Sequence, residues 1–394
     1  MSDIKLTFVV LKLLQLIIFI VYGRILSRTK SDRDFWLKAI IPVLTYSVIT
    51  GLRFGRFIDY NVYYFRYVNL GESLNSEDYE PVFSYICHFL YNAGVPYYLF
   101  VFLQCAFLIT TIFILIKNYR KPLLYILPLI LFELVGNEMF IRWYLGFSFF
   151  LLALNSYINV KRIWYTFIWL LLAISTHVGF VVFAPVFLFG RILNEKTIPP
   201  KIATVIFLIS TFMMSLSNLA FFTTISTALV NLGIGSIDMR VGNYLNATEA
   251  LINGEFGNTG VMERTLSNNI RLAIAYAPTI WFAKEYVKKY KYGILFYNFF
   301  VMGAIVSPLF SLIEIFNRYA LALTFFSCIS SGILFYEVLQ NKTKHSVIIF
   351  FICLFSFLSA IWPNVSGAYS LKSDNEMLFI WDANGRNYLP YWRR

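Results

Sequence analysis

Charge is scarce in this chain. Asp, Glu, Lys and Arg together make up 14% of its 394 residues, against roughly a quarter in an ordinary soluble domain, and that shortfall excludes a solvated globular enzyme. Histidines number three and cysteines four. Cys87, Cys105, Cys328 and Cys353 are far apart and form no CxxC pair, so neither a paired-cysteine metal site nor a disulfide framework is expected. The motifs GxxxxGK[ST], HExxH and GxSxG are absent, which argues against P-loop ATP hydrolysis, zinc proteolysis and a hydrolase nucleophile elbow. The first apolar run, Leu6 to Leu26, is long enough to span, holds Lys12 inside it and lacks a small-residue cleavage site. It reads as a retained span, not a cleaved signal.

What the chain has instead is apolar length. Hydrophobic residues make up 59% and aromatic residues 19%, arranged in runs of about the 20 residues a helix needs to cross a bilayer. The runs cover 7 to 26, 35 to 52, 97 to 117, 122 to 136, 139 to 158, 163 to 190, 201 to 223, 270 to 284, 293 to 313, 317 to 338 and 346 to 363. The expected fold is all-α: one polytopic integral membrane domain over 1–394, with about 11–12 transmembrane or half-membrane helices. The net charge of +12 sits mostly in short loops between runs, which is the positive-inside pattern and not a nucleic-acid surface. No nucleic-acid partner is expected.

The basic loops share one side only if 163–190 enters and returns instead of crossing once. That run is overlong and is broken by "STHVG", Ser175 to Gly179. Two short half-helices meeting at His177 are therefore expected, since irregular backbone at depth is tolerated where protein or water covers it. The outer face then receives a first external segment at 53–96, a long polar loop at 224–269 and a tail at 364–394.

Ionisable residues near span ends mark functional sites unless they are paired locally. "EMFIRWYLGFSFF" (Glu138 to Phe150) and "EIFNRYALALTFF" (Glu314 to Phe326) repeat one pattern in identical register. Glu–Arg pairs four apart share a helical face, so Arg142 and Arg318 could be locally satisfied, or could point inward at an anion with Glu138 and Glu314 orienting them. Two such planar forks suit a diphosphate. His177 lies at the break, where an imidazole donates to phosphate or relays a proton. In "RFGRFIDYNVYYFRY", Arg53 to Tyr67, outward arginines oppose the positive-inside trend, which an anionic ligand would explain. Arg53 and Arg56 join the anion-binding candidates. Tyr60 and Tyr63 offer a platform for sugar rings, or merely an interfacial belt. Asp59, with Glu80 of the later "YEP", supplies a carboxylate able to take a hydroxyl proton. Asp59 and Glu80 could hold a divalent metal, but two scattered carboxylates do not establish one, and no cofactor is expected.

At these residues the chain resembles the EpsG family of bacterial exopolysaccharide and O-antigen clusters, whose members act as Wzy-type repeat-unit polymerases. The matching elements, in order, are Arg53, Gly55, Asp59, Tyr60 and Tyr63; Glu80-Pro81; Ile141-Arg142; His177; Asn317-Arg318-Tyr319; and the aromatic tail Tyr388 to Trp392. Two departures stand out: Trp143 occupies a position where the family often has Gln, and three residues separate Gly55 from Asp59. The resemblance implies an architecture like that of multi-span glycosyltransferases (GT-C-like) using lipid-linked sugars. It also implies polymerisation of oligosaccharide units on polyprenyl diphosphate, in the bacterial cytoplasmic membrane, with the site facing the periplasm or exterior. Expected partners are that lipid-linked oligosaccharide, membrane lipid, and a flippase and chain-length regulator of the same pathway. In this scheme Asp59 is the base with Glu80 in reserve, His177 a phosphate donor or relay, and Arg142 and Arg318, with Arg53 or Arg56 third, the diphosphate clamp. A flippase for the same lipid and a single-sugar glycan-modifying transferase remain alternatives.

Overall fold

The computed structural model describes all residues except 1–2, 55–56, 75–79, 161–162, 214–265, 311–313, 342–345, 353, 356–357, 359–377 and 383–394. Among the described residues the chain is helical, with no β-strand and one isolated bridge pairing Arg53 with Phe379. The long outer loop expected at 224–269 and most of the tail at 364–394 lie outside the described residues, as does Arg56.

The helices are α1 (Asp3–Ser27), α2 (Asp32–Gly51), α3 (Phe57–Glu72), α4 (Pro81–Asn92), α5 (Tyr97–Ile116), α6 (Leu123–Glu133), α7 (Ile141–Asn155), α8 (Ile163–Thr176), α9 (Ala184–Glu195), α10 (Pro200–Met213), α11 (Leu266–Phe282), α12 (Gly293–Phe310), α13 (Glu314–Thr324) and α14 (Ser327–Asn341). Most of them follow the apolar runs, while two, α3 and α4, form within the segment 53–96 expected outside. Five segments are long and apolar enough to cross a membrane: Leu6–Ser27, Tyr97–Ile116, Val178–Glu195, Gly293–Phe310 and Phe316–Gln340. Three shorter apolar helices, α6, α8 and α10, accompany them. This is the all-α polytopic membrane architecture.

Helix α5 is the central pillar, with Cys105, Leu108, Ile109, Ile112, Phe113 and Ile116 all fully buried. The lipid-facing helices show the reverse. Leu6, Val10, Leu13, Leu14 and Ile17 on α1 and Trp164, Phe167 and Leu171 on α8 are exposed, as hydrocarbon-facing side chains must be.

The run at 163 to 190 breaks where its composition does. Helix α8 stops at Thr176, His177 turns extended, a 3₁₀ turn covers Val178–Phe183, and α9 follows. A cleft lined by Tyr157, Ile163, Thr166, Arg191, Asn194 and Tyr292 places the end of α9 beside the start of α8, so the pair is a hairpin with His177 at its apex. Fourteen helical residues reach only about 21 Å, short of the ~30 Å hydrocarbon thickness. The hairpin seats on α7 through aromatic contacts, Trp143 to Phe180 at 5.4 Å and Phe150 to Phe183 at 5.2 Å.

The basic connections collect at one end of the bundle. Asp32, at the start of α2, accepts from Lys117 Nζ at 2.9 Å and Arg120 Nη2 at 2.6 Å, and Arg120 also donates to Thr29 Oγ1 at 2.7 Å. Tyr119 OH donates to the Lys291 carbonyl at 2.5 Å, which joins a third basic connection to the same end. The hydrogen bond from Lys117, helped by Arg120, holds the Asp32 carboxyl below its ordinary value. A carboxyl lowered in the fold contributes stability above its ordinary pKa and loses that contribution as pH falls through the lowered one. Acidification below about pH 4 should therefore lower the thermal midpoint of the detergent-solubilised protein, and Asp32→Asn should flatten that part of the profile. The shift will be small, because the Asp32 side chain is 60% exposed and solvent screens the pair.

Candidate functional site

The opposite end of α5 begins at Tyr97, and there the sequence candidates gather. Pro81 opens α4, and Glu80 takes its N-cap position with φ −61° and ψ 142°. A cap residue usually turns its side chain onto its own first-turn amides. Glu80 does not. Its Oε2 accepts from Arg142 Nη1 at 2.5 Å and its Oε1 accepts from the amide of Val178 at 3.0 Å. One carboxylate thus ties the first turn of α7 to the apex of the α8–α9 hairpin. Both partners are shielded, with side chains 6% exposed for Glu80 and 13% for Arg142. A buried pair of this kind holds geometry more than it adds stability.

His177 is oriented by its own turn. With φ −155° and ψ 110° it caps the 3₁₀ segment, and its Nδ1 accepts from the Gly179 amide at 3.1 Å. An Nδ1 that accepts leaves the neutral ring's proton on Nε2, which fixes the tautomer and makes Nε2–H the donor. Glu80 braces the next amide in line, that of Val178.

Helix α13 brings in the second arginine. The Arg318 guanidinium lies over the Phe140 ring, 4.4 Å from its centroid, and Phe140 immediately precedes α7. Its neighbour Tyr319 packs against Phe183 at 6.1 Å, and its hydroxyl lies 2.9 Å from where a Cβ on Gly179 would stand. The absence of a side chain at Gly179 thus leaves room for the Tyr319 hydroxyl at the apex. Arg142, Arg318, Glu80 and His177 border one junction of α4, α7, α13 and the hairpin.

The expected Glu138–Arg142 pairing along one helical face does not form in that way. Val135–Glu138 is a 3₁₀ turn, α7 begins only at Ile141, and the break at Met139 and Phe140 destroys the four-residue register. Glu138 instead accepts from Lys12 Nζ of α1 at 2.6 Å. Glu314 does share helix α13 with Arg318, but its side chain lies outside the described residues.

Arg53 is fully buried, and its guanidinium holds protein. Nη1 donates to the Thr50 carbonyl at 2.6 Å and Nη2 to the Asn137 carbonyl at 3.2 Å. Asn137 in turn accepts from Gln104 Nε2 at 3.0 Å and donates to Tyr46 OH at 3.1 Å. This network locks the turn that delivers Phe140 and Arg142, so Arg53 is a structural tie and not a fork open to diphosphate. Tyr60 and Tyr63 are also buried, at 0% and 6% exposure. Tyr60 meets Tyr97 edge-on at 5.1 Å and Tyr63 meets Phe83 at 6.0 Å. They are the packed core beneath α3 and α4, not an exposed sugar platform. The α3–α4 pair turns their shared face inward. Asp59, in the first turn of α3, is half-buried.

Residues not singled out from sequence include Gln104, Asn137, Phe140 and the Val178 amide. Gln104 did carry a signal, a polar side chain in the middle of an apolar run. Lys12 carried the same one. Trp143, where the family often has Gln, is buried and stacks on Phe147 at 5.3 Å. Among the described residues no three His, Cys, Asp or Glu side chains gather as metal ligands.

Bundle and junction together define a polytopic helical membrane protein with a buried charged site at one end. The chain matches the EpsG family model over residues 36–374 and belongs to the EpsG family, a family of Wzy-type polymerases of polysaccharide biosynthesis. Glu80, Arg142, His177 and Arg318 all lie within the matched stretch. Neither the curated proteins nor the solved structures gave a match.

Proposed function

We propose that this protein joins oligosaccharide repeat units carried on polyprenyl diphosphate, at the external face of the bacterial cytoplasmic membrane. The observation that carries the reading is the Glu80 bridge, which presents an arginine and an oriented imidazole at one junction. The collection of basic connections at the other end supports the orientation, because Lys and Arg favour the cytoplasmic side.

In the reaction, the acceptor hydroxyl oxygen bonds to the anomeric carbon of the donor chain. The bond from that carbon to the diphosphate oxygen breaks, and its electron pair leaves with the diphosphate. Arg142 and Arg318 stabilise the charge that develops there. His177 Nε2–H donates to a phosphate oxygen, and Asp59 receives the acceptor proton. Glu80, with one oxygen on an arginine and the other on an amide, serves to orient both. A chain-length regulator and a flippase of the same pathway would be its working partners.

The test is polymerisation of lipid-linked repeat units in membranes containing the protein, read as a ladder of product lengths. His177→Gln and Asp59→Asn, each shown to be inserted normally, should slow bond formation by about a hundredfold and leave single units on the lipid. Full ladders from both variants would overturn the acid–base assignment.

A further inference from the structure

At the basic end, α1, α2 and α6 enclose a groove of about 580 Å³. Its floor exists because Gly23 lets α6 approach α1 closely: a Cβ there would stand 2.9 Å from the Leu123 carbonyl oxygen. Val21 and Ile25 of α1 and Leu124 of α6 form apolar walls, and Arg24, Arg28 and Lys38 form the rim. Arg24 in the last turn of α1 and Arg28 just beyond it both line the groove and are both exposed. Lys38 is anchored by Asp34 at 2.9 Å, so the rim carries three cations against one carboxylate.

We propose that this groove is a binding site for an anionic phospholipid of the surrounding leaflet, with an acyl chain along the apolar walls and the phosphate against Arg24 and Arg28. Charge complementarity argues for the headgroup, because arginine forks match phosphate oxygens and basic pockets between membrane helices take acidic lipids. The apolar walls argue for a lipid over free phosphate. The groove also lies at the C-terminal end of α1, beyond Lys12, whose partner Glu138 sits in the turn that precedes α7. The site is thus separate from the proposed polymerase site and does not rest on it.

The full chain, purified in mild detergent with an equal mixture of phosphatidylglycerol and phosphatidylethanolamine, would be examined by native mass spectrometry. Phosphatidylglycerol should be retained in preference. The Arg24→Gln/Arg28→Gln variant should weaken that retention by about 25-fold, at about fivefold per basic side chain, while Lys30→Gln/Arg33→Gln, which removes as much charge outside the groove, should keep it. Leu124→Trp fills the floor without touching the rim and should also expel the lipid, which keeps the question open to test if the arginine variant fails to insert. Equal retention of the two lipids overturns the proposal, as does a Leu124→Trp protein that binds normally. Displacement of phosphatidylglycerol from this groove by a polyprenyl phosphate overturns the choice of occupant.

Discussion

Arg142→Ala should abolish long-chain product, with a fall of about a hundredfold to a thousandfold in polymerisation rate, and should also destabilise the protein by about 3 to 5 kcal/mol. The second effect follows from burial. Glu80 is 6% exposed, and removing its guanidinium partner leaves a charge that water cannot reach. The two effects separate in a double variant. Arg142→Leu with Glu80→Gln removes both charges, and the Gln carbonyl can still accept from the Val178 amide, so thermal stability should return towards that of the parent. Polymerisation should not return, because Arg318 alone then faces the leaving diphosphate. Normally inserted Arg142→Ala protein that makes long chains would disprove the diphosphate role, and a double variant as unstable as the single one would disprove the account of the bridge.

The second large effect is expected at Arg53. Arg53→Ala withdraws the donors from the Thr50 and Asn137 carbonyls in a region with no exposure. At about 1 to 3 kcal/mol for each buried group left unsatisfied, the loss is on the order of 4 kcal/mol. It should appear as a lowered thermal midpoint and poor recovery from membranes. Arg53→Lys restores a charge but not a fork reaching two carbonyls, so it should rescue little. A diphosphate-binding role at this position would give the opposite result, a stable Arg53→Ala protein that no longer holds its lipid-linked substrate.

These two arginines show what the sequence revealed and what it concealed. Apolar length accounts for the spans, and the run broken by "STHVG" interrupts its helix at His177, because 28 residues exceed the ~20 that one crossing needs. Arg142 was recognisable as a charge where hydrocarbon begins. Its partner was not, because Glu80 is distant in sequence and reaches it only after α4 docks on the hairpin. The nearer carboxylate, Glu138, misled for a local reason: spacing of four implies a shared face only where the helix is continuous, and here a 3₁₀ turn intervenes. Arg53 and the tyrosines of the same stretch misled in another way. An arginine and aromatics at the rim of a span look alike from sequence whether they face a ligand or are enclosed by a later helix pair.

The bridge between Arg53 and Phe379 also has a consequence in time. The Phe54 amide donates to the Leu378 carbonyl, and the Ile380 amide to that of Leu52, so the segment closing this end of the bundle is made roughly 330 residues after the one it clasps. At a synthesis rate of about 5 to 20 residues per second, Arg53 waits some 15 to 65 seconds on the nascent chain for its partner. The clasp at the end that bears the charged junction can therefore close only late in synthesis, and a chain terminated before Phe379 would enter the membrane with that clasp unmade.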